Sequence, residues 1–143
     1  MSNRIQQPRN AAIHSGATTV GSLDWSAGFA AKWNGNYYEA QKYVDSEVLR
    51  LSDPYTPMQT GMLIKLGMLG TIPGSGEVIW NGPYARYLYY GKLMVGRAPK
   101  TLTNTDLQFH GAPKRGAFWF ERMKADHLAQ ILAGARLKAG GGT

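Results

Sequence analysis

A helical repeat of apolar side chains in the first half of the 143-residue chain places the strongest constraint on its fold. The repeat spans residues 37–51, with apolar positions three and four apart: Tyr37, Ala40, Val44, Val48 and Leu51. This spacing puts them on one face of an α-helix, and charged residues such as Asp45 are expected to be solvated on the other faces. Asn34 or Asn36 is a candidate N-cap. The helix is expected to end before Pro54, because proline disfavours helical geometry in the preceding residue.

The segment after this helix is expected to form a β-hairpin. The apolar runs LIKLGMLGTI (residues 63–72) and EVIWNG (residues 77–82) flank the turn signal Pro73-Gly74-Ser75-Gly76. Such runs on either side of a turn are typical of two antiparallel strands. In the second run Val78 and Trp80 alternate along the strand, so they share a face, which we predict packs on the long helix at Tyr37, Val44 and Val48.

The remaining elements are shorter or less regular, apart from a final helix. Residues 18–25 are typical of a short strand, and Pro83 predicts a short helix over 84–90. A second helix is expected within residues 115–138, where Phe120, Met123, His127 and Ile131 have helical spacing. The chain therefore belongs to the α+β class, with a small antiparallel sheet, a long helix packed on it and a C-terminal helix.

The domain organisation follows from these elements. We expect an extended N-terminal arm over residues 1–17, one α+β domain over 18–135 and a flexible C-terminal tail over 136–143. Residues 91–115 contain many glycines, prolines and basic side chains, and are expected to form a long loop or a β-arm. The candidate core residues are Tyr37, Val44, Val48, Val78, Trp80, Phe120 and Met123.

The positive charge of the chain is concentrated in one region. Its formal net charge is +7, and residues 83–124 hold eight basic side chains against Asp106 and Glu121. A localised basic region indicates an acidic partner, either a nucleic acid or a negatively charged protein surface. The alternative is a solvated loop that aids solubility.

The sequence contains no pattern typical of catalysis or metal binding. The chain has no cysteine, so disulfides, thiolate chemistry and cysteine-based zinc sites are excluded. His14, His110 and His127 are far apart in sequence, and no nucleophile elbow or phosphate loop is present. We therefore expect no catalytic residue, no cofactor and no metal ion. No apolar run approaches the roughly 18 residues of a membrane helix, and the N-terminus lacks an apolar signal core, so we expect synthesis in the cytoplasm and no membrane contact.

The segment SGEVIWNGPYARYLYYGK, residues 75–92, is the candidate functional region. Its tyrosines can stack on nucleic-acid bases, with nearby cations on phosphates, or they can anchor a protein interface, where Tyr and Arg are enriched. One arginine among four tyrosines suits a protein interface better than a track of phosphates. Arg86 can pair with a carboxylate of a neighbouring subunit or with Glu77 of its own chain. The candidate subunit-interface residues are Tyr84, Arg86, Tyr87, Tyr89, Tyr90, Lys92 and Arg97.

Three ordered blocks of the sequence resemble one protein family. They are YEAQKYVDSEVLRLSDPYTPMQTGML, GEVIWNGPYARYLYYG and RGAFWFERMKADHLAQILAGA, which together span roughly residues 23–135. In this order they resemble the minor capsid or tail-completion proteins of tailed bacteriophages, the head–tail joining group of the neck. The middle block carries the strongest likeness, whereas residues 1–17 and 91–115 have no counterpart.

The resemblance implies a non-enzymatic virion protein that is made in the cytoplasm of the host bacterium. Proteins of this kind form rings in the neck, so the implied partners are further copies of the chain in a twelve-fold or six-fold ring. Adjacent connector or stopper proteins, and tail terminator or tail-tube proteins, are the other implied partners. Genomic DNA would pass through the ring without specific binding. The alternative function is a basic nucleic-acid-binding module that stacks Tyr and Arg on bases.

Overall fold

Two long helices, α1 (Phe29–Ser52) and α4 (Trp119–Lys138), pack against each other at the centre of the protein. The computed structural model describes residues 4–97, 99–109 and 111–140. The helices approach closely at Gly134, where an added Cβ would overlap the ring of Tyr43 on α1. The closest helix–helix packing therefore depends on a glycine that faces an aromatic ring.

Helix α1 begins earlier than the sequence predicted. Its N-cap is Gly28, and neither Asn34 nor Asn36 caps it. The side chain of Asn34 instead accepts a hydrogen bond from the Ile5 N–H (2.8 Å) and donates one to the Ile5 carbonyl (3.0 Å). The added turns carry Phe29, Trp33 and Tyr37 four residues apart, and Trp25, which precedes the N-cap, continues this row, with successive ring centroids separated by 4.8–6.3 Å. Contacts at this spacing support a helix.

The end of α1 agrees with the sequence prediction. A short 3₁₀ turn, Asp53–Tyr55, follows Ser52 directly. Thr56 then adopts an extended conformation, and its hydroxyl donates to the Ser52 carbonyl over 2.8 Å. Pro54 thus converts the last turn of α1 into a 3₁₀ turn that leads out of the helix.

The predicted β-hairpin over residues 63–82 is wrong. Its first half is a helix, α2 (Met62–Gly70), and residues 77–81 have no regular secondary structure. Leu, Met, Ile and Lys tolerate a helix, and Gly67 lets α2 approach the indole of Trp80 closely. Thr71 links the two segments, because its hydroxyl accepts a hydrogen bond from the Ile79 N–H over 3.0 Å.

The β-structure lies in two hairpins elsewhere in the chain. Strands β1 (Ala11–Ser15) and β2 (Thr18–Leu23) pair antiparallel, with an irregularity between Ile13 and His14. The predicted strand over 18–25 is confirmed, but part of the supposed N-terminal arm is its partner strand, since Gly16 with φ 64° allows a tight turn.

The second hairpin lies in the basic segment after the tyrosines. It consists of β3 (Lys92–Val95) and β4 (Thr101–Asp106), which pair antiparallel. Of the two alternatives for residues 91–115, the β-arm is therefore confirmed over this part. The predicted α+β class is also confirmed, with two two-stranded sheets, a long helix and a C-terminal helix. The long helix packs mainly on α4, however, and not on a sheet as expected.

The core lies between α1, α4 and the segments that cross them. Its buried apolar side chains are Val48, Leu51, Tyr55, Leu63, Ala85, Trp119, Met123 and Ile131. The predicted core residues Val48 and Met123 are among them, and Val44, Val78, Trp80 and Phe120 are partly buried against it. Tyr37 is 51% exposed, so its assignment to the core is wrong. It lies in the early turns of α1, where its aromatic contact is with Trp33.

The C-terminal helix extends further than expected. Helix α4 continues to Lys138, and the Ala139 N–H donates to the Ala135 carbonyl over 2.9 Å. A tail beginning at residue 136 is therefore wrong over its first residues, because the helical hydrogen bonds continue through them. The predicted tail residues 141–143 lie outside the described part of the chain.

Candidate protein-interaction surface

The tyrosine-rich segment forms a short helix, α3 (Ala85–Tyr90), as the sequence predicted. Ala85 is buried in the core and holds the start of the helix against it. Gly91 ends the helix in the left-handed conformation, with φ 67°, and its N–H donates to the Leu88 carbonyl over 3.2 Å. A glycine is favoured here because it adopts positive φ without a Cβ penalty.

The aromatic rings of α3 extend from the core to the surface. Tyr89 contacts the buried Trp119 edge-on with ring centroids 4.8 Å apart, and its other ring neighbours are Tyr90 and Phe118. Burial raises the pKa of the Tyr89 hydroxyl. Tyr90 and Phe118 are exposed, with centroids 5.9 Å apart. The exposed rings of Tyr90 and Phe118 therefore pack on Tyr89, which in turn packs on the buried Trp119.

Tyr84 and Tyr87 form a second aromatic pair on α3. Their ring centroids are 5.8 Å apart in an edge-on arrangement. Tyr84 is exposed, whereas Tyr87 is half-buried, and this burial raises the pKa of the Tyr87 hydroxyl. Of the four candidate tyrosines, Tyr84 and Tyr90 present the most ring surface, while Tyr87 and Tyr89 position them.

Phe118 belongs to this surface although sequence analysis did not identify it. It is the N-cap residue of α4 and has φ 52°, the only positive value at a described residue other than glycine. Its N–H donates to the Tyr89 carbonyl over 2.8 Å, which ties the start of α4 to α3. Left-handed geometry at a bulky residue is costly and persists only when the surrounding contacts enforce it. No local sequence signal predicts it.

The three candidate basic residues have different surroundings. Lys92 pairs with Asp106 across the β3–β4 hairpin, where the two residues are also register partners. Arg86 and Arg97 are exposed. The ion pairs found in the described part of the chain do not include Arg86, so its alternative pairing with Glu77 is not formed.

An open groove of about 660 Å³ lies beside α3, and we call it the aromatic groove. Val44 and Val48 of α1 contribute to its floor, and Arg86 and Tyr90 also line it. Its other aromatic lining residues are Trp80, Tyr89, Trp119 and Phe120. Arg86 therefore supplies a positive charge to a groove that is otherwise largely apolar and aromatic.

Asp45 shapes one end of this groove, contrary to the prediction that it is solvated. It is only 2% exposed, and its carboxylate accepts hydrogen bonds from the N–H groups of Gly74 (2.8 Å) and Gly76 (3.1 Å) and from the amide of Gln41 (2.8 Å). The turn 73–76 is therefore held by a helix side chain and not by strand pairing. The only signal in the sequence is that Asp45 adjoins the apolar stripe and precedes Val48 by three positions.

Several basic side chains near the final helix have structural partners. Arg115 donates to the carbonyls of Asp53 (2.8 Å) and Thr56 (2.7 Å). Arg122 donates to the carbonyls of Ala117 (2.8 Å) and Lys114 (2.5 Å), and its guanidinium also lies over the Tyr55 ring. These two arginines organise the segment that leads into α4, which leaves fewer cations of residues 83–124 available for an external partner.

The described residues contain no arrangement typical of metal binding. They form no group of three or more potential ligands among His, Asp and Glu side chains. His14 contacts the Thr19 hydroxyl over 3.2 Å, His127 lies near Tyr55 and Gln130, and His110 lies outside the described residues. None of the helices in the described residues is both long enough and apolar enough to cross a membrane.

Comparison of the chain with family models, with curated proteins and with solved structures found no match.

Proposed function

We propose that this protein is a structural subunit of the neck of a tailed bacteriophage. It forms a homo-oligomeric ring that joins the portal or connector of the head to the tail. The class of protein is proposed because the three sequence blocks resemble minor capsid or tail-completion proteins of tailed bacteriophages. The structural observation that carries the proposal is the distribution of exposed apolar and aromatic side chains over several separate elements.

These exposed side chains are large and occur on elements distant in sequence. They include Ile13, Val20 and Leu23 on the first hairpin, Met62, Met68 and Leu69 on α2, Tyr84 and Tyr90 at α3, and Leu128, Leu132 and Leu137 on α4. Scattered exposed apolar residues are normal on monomers, but extended apolar surfaces are typical of interaction sites. A subunit with several such surfaces is suited to contacts with more than one neighbour.

A ring requires this kind of subunit. Each copy binds its two neighbours through different surfaces, since head-to-tail contacts are heterologous. The faces above and below the ring then contact other neck proteins, namely connector or stopper proteins on the head side and terminator or tail-tube proteins on the tail side. Genomic DNA passes through the opening without specific binding. The role is structural and requires no catalytic residue, cofactor or metal ion.

A nucleic-acid-binding module is the second candidate, and the exposed Tyr84, Arg86 and Tyr90 favour it. Stacked rings beside an arginine can hold a single strand. Three of the eight basic side chains of residues 83–124, however, are engaged within the chain: Lys92, Arg115 and Arg122. A surface with so few available cations is poorly suited to tracking a phosphate backbone, so the interface function is favoured.

Native mass spectrometry and electron microscopy of the purified chain test the proposal. We expect closed rings with a central opening, and DNA binding that is weak at moderate salt. Arg86→Ala and Tyr90→Ala should reduce ring formation without changing this weak DNA binding. A chain that stays monomeric at high concentration would contradict the ring. A tight DNA complex that weakens steeply with salt and is lost in both variants would establish the second candidate.

A further inference from the structure

The aromatic groove has a chemistry that defines what it can bind. Its walls are formed mainly by valine and aromatic side chains, and the buried Asp45 lies at one end with its carboxylate bound to Gln41 and to the backbone N–H groups of Gly74 and Gly76. The exposed Arg86 supplies a cation with no ion-pair partner among the described residues. A matching occupant has an apolar side chain to enter the groove and an adjacent carboxylate to meet the guanidinium. The two features must lie within a few residues of each other on an accessible segment.

The β1–β2 hairpin of this same chain has both features. Every residue of its strands except Gly21 is exposed. Ala11 and Ile13 of β1 are register partners of Leu23 and Gly21 of β2, so these residues form one apolar face. Residues 10–25 contain one carboxylate, Asp24, which directly follows Leu23, and no lysine or arginine. Arg9 lies one position before this range, so the Asp24 carboxylate itself, and not the net charge of the hairpin, complements Arg86.

No other part of the described chain covers this face of the hairpin. Neither strand packs extensively against a helix, and Ile13 and Leu23 are 57% and 52% exposed. An isolated two-stranded hairpin is at best marginally stable in water. Covering its apolar face therefore stabilises it. A second molecule can provide that cover.

The base of the hairpin is held in a defined position. The Gln7 side chain donates to the Ser26 carbonyl (2.9 Å) and accepts from the Ala30 N–H (3.0 Å), while the Asn10 side chain accepts from the Trp25 N–H (2.8 Å). These bonds attach both ends of the hairpin to the start of α1. A segment oriented in this way loses less conformational freedom on binding than a free arm.

We propose that the aromatic groove of one subunit receives the β1–β2 hairpin of a second copy, with Leu23 in the groove and the Asp24 carboxylate on Arg86. The groove and the hairpin use different residues, so the contact is heterologous and repeats from one subunit to the next. The inference rests on the proposed function only in requiring a second copy of the chain. The docked hairpin is the contact that links neighbouring subunits in the ring.

Disulfide trapping tests this contact directly, because the chain has no cysteine of its own. Full-length Leu23→Cys protein is mixed with full-length Ile79→Cys protein, since Ile79 lines the groove and is exposed. Leu69→Cys replaces Leu23→Cys in the control, and Leu69 is 83% exposed on α2. Docking should make the 23–79 disulfide form roughly tenfold faster than the 69–79 disulfide, because docked thiols have a high effective concentration. Equal rates would overturn the proposal.

Charge reversal tests the ion pair within the same assay. Introducing Arg86→Glu into the Ile79→Cys protein should slow formation of the 23–79 disulfide by several fold. Adding Asp24→Lys to the Leu23→Cys protein should then restore most of the rate, since the pair is re-formed with opposite signs. No slowing, or slowing without rescue, would refute the Asp24–Arg86 contact.

The trapping experiment and the neck function can fail independently. Head–tail joining is scored separately, by electron microscopy of particles assembled with the same variants. A specific 23–79 disulfide in a protein that does not join heads to tails would support the docking and refute the neck role. Normal head–tail joining, together with equal rates of 23–79 and 69–79 disulfide formation, would refute the docking and support the neck role.

Discussion

Single side chains hold the irregular segments of this protein through hydrogen bonds to backbone groups. Asp45 binds the N–H groups of the 73–76 turn. Arg115 binds the Asp53 and Thr56 carbonyls just after α1, and Arg122 binds the Ala117 carbonyl just before α4. Each of these side chains satisfies polar groups that no strand or helix ladder reaches. Asp45 also lines the aromatic groove, so the geometry of the groove depends on this buried side chain and on the turn that it holds.

Replacing Asp45 tests this dependence. Asp45→Ala removes three hydrogen bonds to a buried carboxylate and leaves the N–H groups of Gly74 and Gly76 without that acceptor. We expect the free energy of unfolding to fall by about 3 kcal/mol. Each hydrogen bond to a charged group contributes roughly 1.5–3 kcal/mol, and removal of the desolvation cost of the buried carboxylate offsets part of the total. Chemical denaturation measures the change. Glu39→Ala, at an exposed position of the same helix, should change it by less than about 0.5 kcal/mol.

Tyr55 gives the protein a pH-dependent contribution to stability. Its hydroxyl donates to the Asp126 carboxylate over 2.5 Å, and this bond, followed by burial, raises the pKa of Tyr55. A pKa raised on folding stabilises the protein fully below the unfolded value of about 10, and the contribution is lost as pH rises through the folded value. Wild type should thus lose more stability than Tyr55→Phe when the pH is raised from neutral through that range. Melting temperatures at a series of pH values measure this loss.

The raised pKa values of Tyr87 and Tyr89 affect both proteins in the Tyr55 comparison. The difference between the two pH profiles therefore isolates Tyr55. Parallel profiles would mean that the hydrogen bond to Asp126 does not persist in solution.

At the scale of secondary-structure elements, the packing of α1 on α4 is set by a glycine. Gly134 lies where a Cβ would overlap the hydroxyl and ring carbons of Tyr43. Glycine is unfavourable inside a helix, so its presence here is explained by the close approach. Gly35 in α1 provides a contrast, because an added Cβ there meets no atom within 4 Å.

Alanine substitutions at Gly35 and Gly134 should change the stability of the protein in opposite directions. Gly35→Ala should stabilise the protein by about 1 kcal/mol through helix propensity alone. Gly134→Ala should destabilise it, because the Tyr43 ring must move away from its position between the helices. Adding Tyr43→Ala to Gly134→Ala should give a total loss smaller than the sum of the two single losses, as measured by thermal unfolding. Additive effects would show that the helices do not meet at this point.

At the scale of the whole molecule, the two hairpins are separate from the helical core. The core side chains identified in the described part of the chain come from α1, α2, α3, α4 and the 3₁₀ turn, and none comes from a strand. The hairpins thus contribute exposed surface, which is the property that the proposed ring and its neighbours require.

Removing the second hairpin should separate folding from assembly. Replacing residues 93–105 with a short Gly-Ser turn retains Lys92 and Asp106 and all of the identified core side chains. We expect a cooperative thermal transition close to that of wild type, and a loss of head–tail joining scored by electron microscopy. A variant that joins heads to tails normally would remove β3 and β4 from the proposed interface. Loss of the cooperative transition would instead show that the hairpin stabilises the core.

Local sequence signals determined a large part of the fold. The apolar repeat of residues 37–51 predicts α1, Pro54 predicts its end, and Pro83 predicts α3. Helix α4 and strand β2 follow from periodicity and composition in the same way. These predictions succeed because the deciding interactions lie within a few residues along the chain. The tyrosine segment was recognised as the candidate surface for the same reason, since its composition is visible without the fold.

The tertiary structure alone decided the remaining features. A short apolar run such as residues 63–72 fits a strand or a helix, and the choice of α2 depends on packing such as that of Gly67 against Trp80. The burial of Asp45 and the left-handed Phe118 each depend on partners 29 or more positions away in the chain. The aromatic groove exists only where α1, α3, α4 and residues 76–82 meet. Periodicity carries no information about such contacts, because they are set by the folding of distant segments onto one another.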